Sequence, residues 1–150
     1  MARITLDIPA SLPFETLIPI RVGDLNYGNH LGNDAVLSIM HEARLRYLKS
    51  LGFDEFNIIG VGIIMTDTGI VYKSEGFHGQ VLKVTVGCGE FTSRGFDLYY
   101  RLFNAATKKE VALAKTGILC YDYERKKVAG LPAEFMAAVE LKVHNDQLRY

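Results

Sequence analysis

The segment NDAVLSIMHEARLRYLKSL, residues 33–51, constrains what this chain can fold into more than any other stretch. Val36, Ile39, Met40, Ala43, Tyr47 and Leu51 recur at helical spacing and define one apolar face. Leu37 and Leu48 widen that face. Ala35 and Leu45 leave a narrow polar sector around Ser38, Glu42, Arg46 and Lys49. A helix apolar over well more than half its circumference is buried by more than one neighbouring surface, and a curved sheet wrapped around it does this. The ends of the helix are also written in the sequence. Asn33 is a good N-cap, Asp34 puts negative charge in the first turn, and Gly52 is a natural residue to follow the last turn.

The rest of the chain supplies the sheet. TLIPIRV (16–22) reads as a short strand whose Pro19 places it at an edge or a bulge. GIIMTDTGIVYKSE (62–75), QVLKVTVGCGEF (80–91), RGFDLYYRLFN (94–104) and EVALAKTGILCYDY (110–123) are rich in β-branched and aromatic residues. The breaks EGFHG, TSRG and NAATKK carry turn chemistry. Consecutive strands with short breaks predict an antiparallel meander. Residues 1–14 read as an irregular arm or short edge strand broken by Pro9 and Pro13. After ERKK, GLPAEFMAAVELK reads as a short helix with Pro132 in its first turn. One buried helix against one antiparallel sheet is an α+β arrangement, and 150 residues without repeat or linker fit a single domain over 1–150. The hot-dog fold is such an arrangement, with the helix as filling and the sheet as bun.

Composition excludes several partners. Seventeen basic and seventeen acidic residues balance, whereas nucleic acid or an anionic membrane surface calls for a basic surplus. No apolar run approaches the ~20 residues of a membrane span. The start, MARITLDIPASLPFETL, has no continuous apolar core, so no signal peptide is expected and a cytoplasmic location is. Cys88 and Cys120 sit in apolar runs and read as buried thiols of a reducing compartment. Neither they nor the isolated His41, His78 and His144 have metal-ligand spacing, so no metal is expected.

Directly before the helix lies RVGDLNYGNHLGND, residues 21–34, with Asp24, Asn26, Asn29, His30, Asn33 and Asp34 among three glycines. A helix start needs one short polar side chain, so the surplus is turn chemistry, a reactive site, or both. The run GDLNYGNHLGNDAVLSIMHEARLRYLKSLG resembles the opening of the 4-hydroxybenzoyl-CoA thioesterase-like branch of the hot-dog superfamily. That branch reads Asp-x-Asp-x-x-Gly-His-Val-x-Asn, then a helix with Glu-Ala-Arg and Tyr-Leu. Asp24, His30, Leu31, Asn33, Glu42-Ala43-Arg44 and Tyr47-Leu48 fall on this pattern. FHGQVLKVTV, TSRGFDLYYRL and LPAEF are similar to later parts of the family's layout. The family's second Asp is Asn26 here, and its Gly before the His is Asn29. Asn takes no proton and forms no acyl intermediate in the usual way, so the family mechanism does not carry over whole.

The resemblance implies hydrolysis of an acyl-CoA or acyl-carrier thioester. It implies no cofactor beyond the substrate's own coenzyme A, and a homodimer or homotetramer with sites between protomers. Each site residue then has two readings. Asn33 caps the helix, or its backbone and that of Gly32 form an oxyanion hole at the positive helix end. His30 ties the loop down, or acts as general base, for which an imidazole suits neutral pH. Asn26 is a turn residue, or holds water or carbonyl. Asp24 forms an Asx-turn, or orients His30. Asp34 serves the helix dipole, or replaces the missing carboxylate. Glu42 pairs with Arg46, or supplies a mid-helix catalytic carboxylate. Asp67 is a further candidate from across a dimer. Lys73, Arg94 and Arg125, Lys126 and Lys127 are candidates for the coenzyme phosphates, and otherwise solvated charges. Phe96, Tyr99 and Tyr100 read as packing before acyl-pocket lining. Two rival readings share the fold. GDLNYGNH is close to a hydratase pattern, with one extra residue and no Pro, and Asn26 suits a non-catalytic acyl-CoA-binding or assembly protein.

Overall fold

The computed structural model describes residues 1–147, with side chains through Val143, so His144 lies outside the described side chains. Strand β1 (Phe14–Pro19) leads through a 3-10 turn at Val22–Asp24 to helix α1 (Asn33–Ser50). Then follow β2 (Gly62–Tyr72), β3 (Val81–Gly89), β4 (Gly95–Asn104), β5 (Glu110–Asp122), the short β6 (Lys127–Val128) and helix α2 (Ala133–Gln147). The sheet order is β1-β3-β4-β5-β2 with antiparallel pairing throughout, and β6 pairs with β5. The expected edge position of the Pro19 strand holds, since β1 is one edge and Pro19 is its last residue.

The meander is correct for β3-β4-β5 and wrong for β2, which pairs with β5 at the opposite edge. Three strand spacings, roughly 14 Å, separate β2 from β3. The connection 73–80 crosses that distance as a chain of eight residues, which reaches about 26 Å when extended. It passes over the loop before α1. Leu31 donates its N–H to the Gly76 carbonyl at 2.8 Å, and His30 and Phe77 form an isolated antiparallel bridge. The expected turn at EGFHG is therefore a crossover lying against the polar cluster.

α1 packs on β1 and β3 with Val36, Ile39, Met40, Ala43, Tyr47 and Leu48 buried. These meet Leu82, Val84, Leu98, Tyr100 and Leu102 in one core, which Phe135 of α2 closes by stacking on Phe96 at 4.9 Å. Gly52 takes φ +89° as expected. Phe53 N–H returns to Leu48 C=O and Gly52 N–H to Lys49 C=O, which satisfies the last carbonyls. Two expectations for α1 are corrected, and one buried residue was not foreseen. Gly32, not Asn33, holds the N-cap position, and Asn33 is the first helical residue. Leu37 and Leu45 stay 47% and 37% exposed, because the sheet covers only one side of the helix within this chain. Arg44, the least apolar choice for that face, is buried at 7% exposure.

Both cysteines are free, Cys120 fully buried and Cys88 half-buried. Burial pushes the Cys88 thiol up to about 12, although a hydrogen bond from the Tyr47 hydroxyl at 3.5 Å partly opposes this. Burial alone pushes Cys120 up to about 11. The thiolate is the reactive form. A disulfide reagent at pH 8 is therefore expected to find no fast-reacting thiol in the native protein and two after unfolding; a rapid native reaction would refute the burial.

Candidate functional site

The 25–32 loop is held by its own polar side chains. The Asn26 side-chain oxygen accepts from the N–H groups of Gly28 (2.9 Å) and His30 (3.3 Å), and Asn26 N–H donates to His30 C=O at 2.8 Å. Asn29 sits at φ +63°, a left-handed conformation that Asn tolerates better than most residues. With its carbonyl oxygen committed to the turn, the Asn26 amide leaves its NH2 as the available donor. The His30 ring, 38% exposed, lies 3.5 Å from Glu75 by Nδ1 and 5.6 Å from the Phe77 ring.

The N-terminus of α1 opens beside this loop. Gly32 N–H donates to Asp24 C=O at 2.9 Å and its carbonyl accepts from Val36. No side chain caps the helix; Asn33 only accepts, through its side-chain oxygen, from the adjacent Asp34 N–H. The N–H groups of Asn33 and Ala35 find no acceptor among the described residues. Tyr72, at the end of β2, donates its hydroxyl to Asn33 C=O at 3.0 Å. Burial raises the Tyr72 phenol above its ordinary range, and the Asp34 carboxylate nearby adds to this. Asn33, Asp34 and Tyr72 at the helix end and His30, Glu75 and Phe77 beside it thus form one largely exposed cluster, with Lys73 next to it in the chain.

Other expected site residues lie elsewhere. The buried Asp24 carboxylate accepts from Arg21 N–H at 2.8 Å and faces the Arg21 guanidinium at 3.6 Å, so it does not orient His30. Glu75 is the carboxylate at His30. Glu42 is ion-paired with Arg46 at 2.9 Å and stands roughly 14 Å up the helix from Asn33. Asp24 and Glu42 instead line a separate cavity of about 360 Å³ on the outward side of α1, with Ser38, His41 and Arg46. Arg94 sits in the β3–β4 connection, where its carbonyl accepts from Cys120 N–H, while Tyr72 pairs with Ala112. Eight residues of β5, roughly 27 Å, separate these two ends, so Arg94 and Lys73 do not converge within one chain. Arg125 is paired with Asp122, and Lys126 and Lys127 are exposed beside it. Asp67 faces the outer side of the sheet and is held below the usual carboxylate range by the Lys115 ammonium at 3.0 Å. Phe96 and Tyr100 are core residues, and Tyr99 is 8% exposed on the outer face. No cluster of three or more metal-ligating side chains occurs among the described residues.

Sequence reasoning missed Tyr72, Glu75 and Phe77, because only the tertiary path of β2 and its crossover brings Tyr72 to the helix end and Glu75 and Phe77 to His30. It also missed a buried network. Arg44 Nε contacts Glu55 at 2.5 Å and its Nη1 reaches Tyr100 at 3.4 Å; Tyr100 in turn meets Thr116 at 2.9 Å and Glu55 meets His41 at 3.1 Å.

Comparison with known proteins agrees with this architecture. The structure is similar to a 1,4-dihydroxy-2-naphthoyl-CoA thioesterase from Synechocystis, with a TM-score of 0.77 at 21% identity over 84% of this chain and 94% of that one. It is similar to a thioesterase-superfamily protein from Jannaschia, with a TM-score of 0.79 at 15% identity over 91% and 86%. A gentisyl-coenzyme A thioesterase matches with a TM-score of 0.74 at 15% identity over 84% and 99%. At these identities the likeness establishes the hot-dog fold. No curated protein matches the sequence. The model of one family, the thioesterase-like superfamily, matches residues 20–139, from the end of β1 into α2, and this chain belongs to that family.

Proposed function

We propose that this protein hydrolyses an acyl-CoA thioester to the free acid and the thiol at the N-terminus of α1. The observation that carries the reading is the joining of an uncapped helix end and a carboxylate-paired histidine in a member of the thioesterase-like superfamily. The names of the similar structures, CoA thioesterases for naphthoyl and gentisyl groups, support the substrate class. The carbonyl oxygen sits on the free N–H groups of Asn33 and Ala35, where the helix end stabilises the negative charge that develops on attack. His30 takes a proton from water as the water oxygen bonds to the carbonyl carbon. The C–S bond then breaks, and the protonated His30 returns the proton to the leaving thiolate. Glu75 holds the imidazole, the Asn26 NH2 positions the water, and Phe77 offers an apolar surface for the acyl group. Lys73, exposed and next to Tyr72 in the chain, is assigned to a coenzyme phosphate. No cofactor enters this scheme beyond the coenzyme A of the substrate.

The arrangement counts against a hydratase, whose Asp and His would act on one water, since Asp24 and His30 have separate partners. Assembly as a homodimer completes the proposal. The long edge strand β2 has a free side, and Met65 and Tyr72 on its helix-facing side are 38% and 52% exposed. A cytoplasmic location fits the two free thiols. No helix among the described residues is long and apolar enough to cross a membrane. The test is thiol release from short, long and aromatic acyl-CoAs. Hydrolysis of at least one class is expected, and absence of turnover across the panel overturns the reading. Tight binding without turnover would identify an acyl-CoA-binding protein. A Cβ at Gly32 would stand 2.6 Å from the Asp34 carboxylate. Gly32→Ala is therefore expected to crowd the helix end, where the carbonyl oxygen meets the Asn33 and Ala35 N–H groups, and to lower kcat, with a stability loss under about 1 kcal/mol, since glycine is only modestly better than alanine at an N-cap.

A further inference from the structure

The 3-10 turn at Val22–Asp24 stands beside α1 and leaves a cavity of about 360 Å³ between the end of β1, the turn and the helix. That volume is in the range of small-molecule sites. The cavity is separate from the His30 cluster, since none of His30, Asn33, Tyr72, Glu75 and Phe77 lines it. Its floor is apolar. Ile18 and Ile39 are buried there, with Pro19 and Leu45 beside them. Its charged lining is two acids and two bases, paired by their spacing in the chain. Arg21 and Asp24 are three apart on the turn, and Glu42 and Arg46 are four apart on the helix.

Each pair is only half spent. The Asp24 side chain is 8% exposed and accepts the Arg21 N–H through Oδ2, while its Oδ1 has no donor among the described residues. Arg21 brings Nε to 3.6 Å from that carboxylate, and its guanidinium makes no hydrogen bond to a described residue. Glu42 accepts from Arg46 Nε through Oε1, which leaves Oε2 without a donor. Arg46 gives Nη1 to Thr16 Oγ1 and Leu17 C=O, and Nη2 remains. An enclosed carboxylate oxygen calls for a donor. The four charges sum to zero. An anion alone would meet Asp24 and Glu42, and a cation alone would meet Arg21 and Arg46. A small molecule carrying both charges satisfies all four, and the apolar floor takes a hydrocarbon side chain.

We infer that this cavity binds a free α-amino acid with a branched aliphatic side chain. The ammonium lies on Asp24 and Glu42, the carboxylate on Arg21 and Arg46, and the side chain over Ile18 and Ile39. A guanidinium suits a carboxylate, which it can hold through two parallel N–H groups. Asp24 is the enclosed anchor. Arg21, Glu42 and Arg46 are open to solvent and leave the ligand a way in. The reading does not depend on the chemistry at His30 and is tested without any activity assay.

The experiment is isothermal titration of the full chain, near neutral pH and at low salt, with four probes. These are L-leucine, isocaproate (leucine without its ammonium), isopentylamine (leucine without its carboxylate) and glycine. L-Leucine is expected to bind at least about tenfold more tightly than any of the other three, because each lost contact to a charged group is worth about that factor. Arg21→Gln changes a largely exposed side chain, so the fold should be kept. It is expected to weaken leucine about tenfold and to leave isopentylamine unchanged. Glu42→Gln keeps an acceptor for Arg46 and is expected to weaken leucine while leaving isocaproate unchanged. Thermal melts check that both variants are folded. No heat from leucine up to about 10 mM overturns the inference, as does equal binding of a truncated analogue or unchanged leucine affinity in the two folded variants.

Discussion

Replacing His30 by alanine is expected to reduce acyl-CoA hydrolysis by roughly 10²- to 10⁴-fold, the range typical for loss of a general base. The effect should fall on kcat, because the imidazole acts on water and the thiolate rather than on the coenzyme. The melting temperature should hardly move. The ring is more than one third exposed, and its loop is tied by backbone bonds and by Asn26 rather than by the imidazole. Glu75→Gln should cost less, since it removes the charge that aligns the ring but keeps a hydrogen-bond acceptor. Asn26→Asp keeps the oxygen that accepts from Gly28 and His30 but removes the NH2 donor, so it should fold normally and lose turnover. Thiol release at saturating substrate, measured beside thermal melts, checks all three. Undiminished turnover in His30→Ala would move the reaction away from this cluster, and the cavity beside His41 and Glu42 would be the next place to look.

The largest stability effect is expected at Arg44. Its guanidinium is nearly enclosed between α1 and the sheet, held by Glu55 and Tyr100. Burial works against the charge, but Tyr100 and Glu55 more than offset it, so Arg44 is held above even its ordinary range. Removing one partner of a buried pair leaves the other charge without compensation, at about 3–5 kcal/mol. Glu55 keeps some contact with solvent and with His41, which places Arg44→Met near the lower end. About 3 kcal/mol corresponds to roughly 6–12 °C in melting temperature for a domain of this size. Thermal and urea melts decide the matter. A loss below ~1 kcal/mol would show that the pair contributes little. The double substitution Arg44→Met with Glu55→Leu should recover part of the loss, because two apolar side chains leave no buried charge behind.

Local chemistry in the sequence determined much of this protein. The period of residues 33–51 set the helix and most of its buried face, and Gly52 ended it, because both depend on geometry within a few residues. The five longer strands were legible from β-branched and aromatic runs bounded by turn residues. The turn role of Asn26 was legible because a short amide bonds to its own loop. Resemblance of the run from Gly23 to Gly52 to a known family carried the fold and reaction class further than composition could.

Tertiary structure decided what depends on residues far apart in the chain. Whether β2 lies beside β3 or at the opposite edge is a difference in the path of one eight-residue connection, and no turn residue encodes it. That path made Glu75 rather than Asp24 the partner of His30 and brought Tyr72 to the helix end. It also left Arg94 and Lys73 at opposite ends of β5, whereas the distance of Glu42 from the helix end follows from helix rise alone. The burial of Arg44 depended on Glu55 and Tyr100, eleven and fifty-six residues away, arriving to satisfy it. The N-terminal arm shows the same limit. Its alternation was local, but Gly69 and Gly87, which make room for its leucines, and Arg101, which holds its backbone, come from three different strands, which only the closed sheet sets on one face.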